Sequence, residues 1–248
     1  MFDFNARLGH WPYRPVKGFD ELLRQMDQYG IERAGVSSLN AVHYLNPQDG
    51  NDELARAIAA HRDRLIPFAV LRQNFAGWDD DLERCVGEFG VRAVVLYPNY
   101  HRFGLNEAVD ELAGRVGALG LPLCVQVALE DMRRQFDREI VPDVAPEAVG
   151  ELARRHPGVN VVALGLKCGQ PERTGMPENL FFDTSNYEKM GEMEDAVARF
   201  GAERILFGTN FPLFNIQANV DKLRLAPLDE AARATIAQAN ALRLLGLR

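Results

Sequence analysis

The sequence predicts an α/β protein folded as a closed, TIM-like (β/α)8 barrel. Apolar runs typical of strands alternate with helical patterns along the whole chain, and eight strand candidates can be counted. Such alternation favours a parallel sheet with helices packed outside it. The 248 residues match the length that this barrel commonly needs. Because no linker or change in composition divides the chain, residues 1–248 are predicted to form a single domain.

The predicted strands are mostly continuous apolar runs, as expected of strands that are buried on both faces. They span Phe2–Asn5, Arg33–Leu39, Leu65–Leu71, Val91–Tyr97, Leu121–Ala128, Gly158–Leu164, Asn179–Asp183 and Arg204–Phe207. The predicted helices have apolar residues at helical spacing, and several end at a glycine. They span Phe19–Tyr29, Asp52–His61, Trp78–Phe89, Asn106–Leu119, Pro146–Arg155, Met190–Phe200, Val220–Leu225 and Leu228–Leu245. After the sixth strand, the helix is missing or replaced by a loop.

Composition excludes several classes of partner. Lys and Arg number 28 against 35 Asp and Glu, so the formal net charge is −7. This balance argues against a nucleic-acid binder and against a polybasic membrane surface. The three cysteines show no paired spacing, the N-terminus lacks the apolar segment of a secretory signal, and no apolar run is long enough to span a membrane. We therefore expect a cytoplasmic protein with reduced thiols.

In such a barrel, the chemistry lies at the carboxyl ends of the strands. The polar candidates at these ends are Asn5, Arg7, Tyr97, Gln126, Lys167 and Asn210. His43 and His101 lie in the loops after the second and fourth strands, where they are expected to reach a ligand at the mouth. Lys167 is interpreted either as a proton-transferring or nucleophilic amine or as a structural partner of Asp183.

The loop after the first strand, residues 9–15, combines Trp11 and Tyr13 with His, Arg and two prolines. Aromatic residues and arginine are enriched at the centres of protein interfaces. This loop is expected either to close the barrel mouth or to form a subunit contact, so Trp11 should be buried. A homodimer, or a heteromer with a related chain, is the expected assembly.

Several segments resemble the amidohydrolase-related family of the amidohydrolase-2 type. Residues 2–9 read FDFNARLG, similar to the family's apolar-Asp-x-His-x-His-x-Gly strand, and residues 200–212 read FGAERILFGTNFP, similar to FGxxRxxFGSDxP. Weaker similarity extends over nearly the whole chain, including the DTS at residues 183–185. The resemblance implies the same barrel fold.

The resemblance also implies hydrolysis or nonoxidative decarboxylation with one or two divalent metals. The family's metal ligands are two histidines after strand one, one each at the ends of strands five and six, and an aspartate after strand eight. The matching positions here hold Asn5, Arg7, Gln126 and Asn210, and no histidine follows His156. A carboxamide is a poor zinc ligand and a guanidinium is none. We expect no metal and no other cofactor.

Three functions remain open at this point. The first is a metal-independent hydrolase, lactonase or decarboxylase of a small carboxylated substrate. There, Arg7 holds the carboxylate, the amides orient a carbonyl, and Lys167, His43 or His101 moves protons. The second is a catalytically silent subunit or regulatory partner of an intact, metal-dependent homologue. The third is a receptor for a small ligand. Because its charge is permanent, Arg7 is expected to lie within hydrogen-bond reach of a carboxylate, a sulfate or an acidic side chain. The alternative is that Arg7 and the three amides hydrogen-bond one another as satisfied polar residues of a closed pocket.

Overall fold

The computed structural model describes residues 1–189 and 191–248, and in them eight parallel strands follow one another in chain order. The strands are β1 (Phe2–Leu8), β2 (Arg33–Ser38), β3 (Leu65–Leu71), β4 (Ala93–Leu96), β5 (Leu123–Gln126), β6 (Val161–Leu164), β7 (Leu180–Asp183) and β8 (Ile205–Leu206). The first strand also meets the end of the last, because the Phe4 amide donates to the Phe207 carbonyl at 2.8 Å. The sheet thus nearly closes into the predicted barrel.

The helices pack around this sheet. They are α1 (Phe19–Tyr29), α2 (Asn40–His43), α3 (Pro47–Ala57), α4 (Trp78–Gly87), α5 (Pro98–His101), α6 (Asp110–Ala118), α7 (Pro146–Arg155), α8 (Gln170–Arg173), α9 (Glu192–Phe200), α10 (Ile216–Leu225), α11 (Glu230–Ala234) and α12 (Asn240–Leu245). Short 3-10 turns lie at Ala59–His61, Glu107–Val109, Met132–Arg134 and Ala202–Arg204, and a π-helical turn, Thr235–Ala239, joins α11 to α12.

Side-chain caps explain two corrections to the predicted helix boundaries. Helix α3 begins five residues before the predicted Asp52, because the Asn46 side chain accepts the Gln48 amide at 3.1 Å. Helix α10 begins before the predicted Val220, because Asn215 caps it in the same way.

Three further corrections concern turns and interruptions. The predicted helix Asn106–Leu119 starts as a 3-10 turn and becomes α-helical at Asp110. The π-helical turn interrupts the predicted Leu228–Leu245. The single turn of α8 stands where the helix after β6 was missing. Met190, where the helix that corresponds to α9 was predicted to start, lies outside the described residues.

The strand β1 is longer than predicted and contains the irregularity that shapes the site. Asp3 pairs with Ala34 and Ala6 with Val36, so β1 uses one residue more than β2 over this stretch. Such a bulge changes the direction of the side chains that follow it. Phe2 and Phe4 pack inside the barrel with residues of β3 to β6, and Arg7 also reaches the interior, as its contacts below show.

Two apolar layers make up most of the core. The larger cluster lies between the sheet and the helices and includes Leu22, Leu112 and Leu152, whereas the second fills the barrel with residues such as Phe68 and Val95. In the described part of the chain, no helix combines the length and the apolar character needed to cross a membrane.

Candidate functional site

A hydrogen-bonded polar group around Arg7 fills the carboxyl end of the barrel. The Arg7 side chain is fully buried, and its Nε donates to the Tyr97 hydroxyl at 2.9 Å. Its Nη1 donates to Asn210 Oδ1, and its Nη2 donates to Gln126 Oε1. We term these four residues the central cluster. The structure thus brings together four of the predicted site residues from β1, β5 and the ends of β4 and β8.

Backbone contacts fix the orientation of the two amides in the central cluster. Asn210 Nδ2 donates to the Leu129 carbonyl at 2.9 Å, and Gln126 Nε2 donates to the Ala128 carbonyl at 2.7 Å. Because the amide nitrogens are engaged there, the amide oxygens face Arg7. Asn210 has a φ of 54°, a left-handed conformation that asparagine tolerates better than most residues.

Asn5, the fifth predicted pocket residue, contacts a different group. Its Nδ2 donates to Asp183 Oδ2 at 2.7 Å, and the Gly165 amide donates to Asp183 Oδ1 at 2.6 Å. A Cβ atom on Gly208 would lie only 2.4 Å from Asp183 Oδ2, so glycine is required for this close approach. Complete burial raises the pKa of Asp183.

Asp3 also lies in this interior, although it was not among the predicted site residues. Asp3 accepts the Thr209 amide at 3.0 Å and the Thr209 hydroxyl at 2.5 Å, which ties β1 to the segment after β8. Burial raises the pKa of Asp3 to about 6, against the lowering effect of these hydrogen bonds. A carboxylate between the two apolar residues Phe2 and Phe4 was the available signal.

The Arg7 charge has no ion-pair partner among the residues that the structure describes. No described carboxylate lies within the 4.0 Å that defines an ion pair with its guanidinium. The expectation of an acidic side chain beside Arg7 is therefore wrong, and its acceptors are a phenol and two amides. They satisfy three hydrogen bonds without a direct ion pair, and the Arg7 charge also acts at longer range on the buried Asp183, whose pKa it lowers in part.

Lys167 lies apart from the central cluster. Its Nζ is 2.5 Å from Asp143 Oδ2, and the side chain is partly exposed. The predicted pairing with Asp183 is wrong, because Asn5 and the Gly165 amide already engage that carboxylate. Lys167 instead lines a cavity of about 360 Å³ beside Cys168.

Aromatic residues cover the mouth of the barrel. Trp11 is 1% exposed and shares an apolar cluster with Tyr97. Its ring centroid lies 4.9 Å from that of His43 and 6.3 Å from that of Tyr100. The predicted burial of Trp11 is confirmed, whereas the subunit contact stays a prediction. Trp11 Nε1 has no hydrogen-bond partner in the described structure.

Polar contacts hold this cover in place. The Tyr13 hydroxyl donates to Glu139 Oε2 at 2.6 Å, and the Tyr13 ring stacks on Phe136 at 5.7 Å. Arg14 forms an ion pair with the buried Glu130. The two segments joined in this way, residues 9–16 and 129–141, are termed the lid.

The two mouth histidines differ in their surroundings. Burial lowers the pKa of His43, which packs against Trp11 and Tyr13. His101 is only 2% exposed, and burial lowers its pKa from about 6.5 to about 4. Its Nε2 lies 3.1 Å from the Ala41 carbonyl. Both rings are therefore neutral at pH 7.

Comparisons with known proteins agree on one family. A model of the amidohydrolase family matches residues 4–247. The gamma-resorcylate decarboxylase of Rhizobium sp. (strain MTP-10005) is 27% identical over 92% of this chain and 87% of its own length. A 2,6-dihydroxybenzoate decarboxylase solved with 2,6-dihydroxybenzoate superposes with a TM-score of 0.76, at 21% identity over 99% of this chain and 97% of that one.

A third relative contains a metal. The dihydroxybenzoic acid decarboxylase of Polaromonas sp. JS666, solved with manganese and 2-nitroresorcinol, superposes with a TM-score of 0.76 at 20% identity, over 99% of this chain and 96% of that one. The central cluster of the present chain does not fit such an ion. It holds a guanidinium cation and two amides, and the described residues contain no group of three or more His, Cys, Asp or Glu able to hold a metal.

Proposed function

The chain belongs to the amidohydrolase family, and we propose that it is a metal-independent decarboxylase of a small carboxylated aromatic molecule. Decarboxylation is favoured over hydrolysis and lactone opening because the relatives described above are decarboxylases of hydroxylated benzoates. Arg7 supplies the fixed positive charge of the site.

The observation that carries this proposal is that the buried Arg7 guanidinium forms no direct ion pair with a described carboxylate. A guanidinium has five N–H groups, of which Arg7 uses three on Tyr97, Gln126 and Asn210. One N–H on each terminal nitrogen remains for a ligand. An anion placed there would compensate a buried charge for which the described residues offer no ion pair.

The proposed chemistry uses this charge in the transition state. Loss of CO₂ breaks the bond between the ring and the carboxylate, and the ring carbon takes up a proton. Negative charge moves from the carboxylate toward the ring and its hydroxyl oxygen. A cation accelerates this step only when it stabilises the developing charge more than the bound carboxylate. Arg7 is therefore assigned to stabilise the negative charge on the ring hydroxyl oxygen. Tyr97 is assigned to donate the proton that the ring carbon takes up.

Access to Arg7 requires the lid to move. Trp11 is buried in the apolar cluster that contains Tyr97, and the lid is held by the Tyr13–Glu139 hydrogen bond and the Arg14–Glu130 ion pair. Opening would break both contacts, including the ion pair to the buried Glu130, as closing loops over active sites do in other enzymes.

The test measures loss of 2,6-dihydroxybenzoate, with CO₂ release, by chelator-treated protein. Wild type should turn over, Arg7→Met should lose at least a hundredfold in kcat/KM, and Arg92→Gln, which removes an exposed arginine elsewhere, should behave as wild type. Circular dichroism verifies that each variant is folded. Absence of turnover by the wild type would contradict the proposal.

A second candidate is a catalytically silent barrel that acts as a subunit or regulatory partner of an intact, metal-dependent relative. The observation that favours it is the closure of the site, since the central cluster is buried beneath the lid. This alternative predicts no turnover in isolation and a measurable change in the activity of an intact relative when the two chains are mixed.

A further inference from the structure

A second cavity, of about 460 Å³, opens at the rim of the barrel beside the lid. The loops after β2, β3, β4 and β5 enclose it, and it is separate from the central cluster. Among the residues that line it are Tyr44, Arg72, Tyr100, His101, Arg102 and Ile140. We term it the rim cavity.

The rim cavity contains two arginines without an acidic partner. Arg72 Nε donates to Asn74 Oδ1 at 2.8 Å, and no carboxylate of the described chain lies within ion-pair distance of Arg72 or Arg102. Glu139, the one acidic residue among the lining residues, accepts the Tyr13 hydroxyl. The cavity thus offers two accessible guanidiniums to an anion.

The backbone of Arg102 has an unusual conformation. Arg102 has φ 57° and ψ 49° at the end of α5, a left-handed position where glycine is favoured. Non-glycine residues in this region are uncommon and cluster at functional sites. Arg102 thus occupies a position that glycine would adopt with less strain.

His101 supplies a third unsatisfied group. The Ala41 carbonyl can only accept, so Nε2 of the neutral ring carries the hydrogen and donates to it. Nδ1 is then a bare acceptor, and this buried atom has no donor in the described structure. A ligand that meets this acceptor must carry an O–H or N–H group.

We infer that the rim cavity binds an aromatic acid with a ring hydroxyl, whose carboxylate pairs with Arg72 and Arg102 and whose hydroxyl donates to His101 Nδ1. The aromatic and apolar side chains of Tyr44, Tyr100 and Ile140 provide walls for the ring. The inference names the substrate class and the capture site of the proposed function, and it rests on that function in this respect.

The rim cavity is one side chain away from the central cluster. The His101 ring lies 6.0 Å from the Tyr97 ring, and the Tyr97 hydroxyl accepts from Arg7. An acid held at the rim is therefore separated from Tyr97, the proposed proton donor, by the His101 ring.

Equilibrium binding tests the inference without requiring turnover. Isothermal titration at pH 7 uses 3-hydroxybenzoate, 4-hydroxybenzoate, benzoate and phenol as probes. For wild type we expect at least one hydroxybenzoate to bind several-fold more tightly than benzoate, and phenol to bind weakest. Arg72→Gln and Arg102→Gln should each weaken hydroxybenzoate binding by about tenfold. The matched control Arg92→Gln, an exposed arginine outside the cavity, should leave it unchanged.

A second arm addresses His101. In His101→Phe the preference for the hydroxybenzoate over benzoate should disappear, while the affinity for benzoate is retained. This variant also loses the hydrogen bond to the Ala41 carbonyl, so a thermal unfolding curve verifies that it is folded. If it is not folded, the binding data for Arg72→Gln and Arg102→Gln still test the inference.

The outcomes separate this inference from the proposed function. Absence of binding by wild type, or equal binding by wild type and both rim variants, would overturn the inference. Loss of binding in Arg7→Met alone would place the acid at the central cluster and overturn it too, while supporting the proposed function. Weaker hydroxybenzoate binding in the rim variants, together with no CO₂ release from 2,6-dihydroxybenzoate by wild type, would support the inference and overturn the proposed function.

Discussion

Arginine has two different environments at the carboxyl end of this barrel. Arg7 is fully buried and donates to three side chains that come from three other strand ends. Arg72 and Arg102 line the open rim cavity, and neither forms an ion pair with a described carboxylate. The comparison teaches that the hydrogen-bonding of a cation and the compensation of its charge are separate matters. Arg7 has three hydrogen-bond acceptors but no direct ion pair with a described carboxylate, and this is the basis of the anion binding that we propose for it.

The comparison gives the two regions different mutational signatures. Removing a buried donor leaves several buried acceptors unsatisfied, whereas removing a rim cation exposes nothing. The Arg7 variant should therefore change stability, whereas variants of the rim arginines Arg72 and Arg102 should change binding alone.

The largest effect on stability is expected for Arg7→Met. The substitution leaves the Tyr97 hydroxyl and the Asn210 and Gln126 amide oxygens without their donor, and we expect a loss of about 3 kcal/mol in the free energy of unfolding. Urea denaturation followed by circular dichroism measures it. An unchanged midpoint would show that the cluster does not hold the strand ends together.

The second largest loss of stability is expected for Gly208→Ala, which tests the close packing around Asp183. In Gly208→Ala the new Cβ would meet Asp183 Oδ2 at 2.4 Å, so we expect a loss of about 2 kcal/mol in the free energy of unfolding. Gly114→Ala is the matched control, because a Cβ at that position in α6 has nothing within 4 Å. The control should be stabilised by about 0.5–1 kcal/mol. An equal change in the free energy of unfolding for the two variants would contradict the tight packing around Asp183.

His101 gives a pH-dependent signature. Its pKa falls from about 6.5 to about 4 on folding, so its contribution to stability is complete above pH 6.5 and is lost as the pH falls toward 4. Asp3 acts in the opposite direction, because its pKa is raised to about 6. The difference between wild type and His101→Phe isolates the contribution of His101 to the pH dependence of the free energy of unfolding. The difference in their unfolding free energies should shift in favour of His101→Phe on acidification from pH 7 to pH 4.5. A constant difference would contradict the buried neutral ring.

The smallest effect on stability is expected at the rim. Because the Arg102 side chain is exposed, Arg102→Gln should change the free energy of unfolding by less than about 0.5 kcal/mol. A thermal melt beside Arg7→Met measures it directly. A destabilisation comparable to that of Arg7→Met would remove the distinction between the two regions.

The fold followed from the sequence because its signals are repeated along the chain. Eight apolar runs at the spacing of strands and helices predict a barrel even when single boundaries are displaced. The predicted boundaries were wrong where a local feature decides them. Examples are the side-chain cap of α3 by Asn46 and the backbone bulge after Asp3 in β1. Such features depend on one residue or one backbone irregularity, so periodicity does not indicate them.

The candidate site was only partly predictable. The positions of Arg7, Tyr97, Gln126 and Asn210 at strand ends follow from the barrel, but their mutual contacts do not. Lys167 pairs with Asp143, 24 residues earlier in the chain, because the loop after β5 folds back beside it. The rim cavity depends on four loops at once, and loop geometry has no periodic signal in sequence.

The dependence of the decarboxylation rate on manganese tests the central claim most directly. Chelator-treated protein is titrated with MnCl₂ while CO₂ release from 2,6-dihydroxybenzoate is followed. Because Arg7 supplies the positive charge of the site, we predict a rate that is present without manganese and unchanged as manganese is added. A rate that is absent at first and rises to saturation near one manganese per chain would contradict the account.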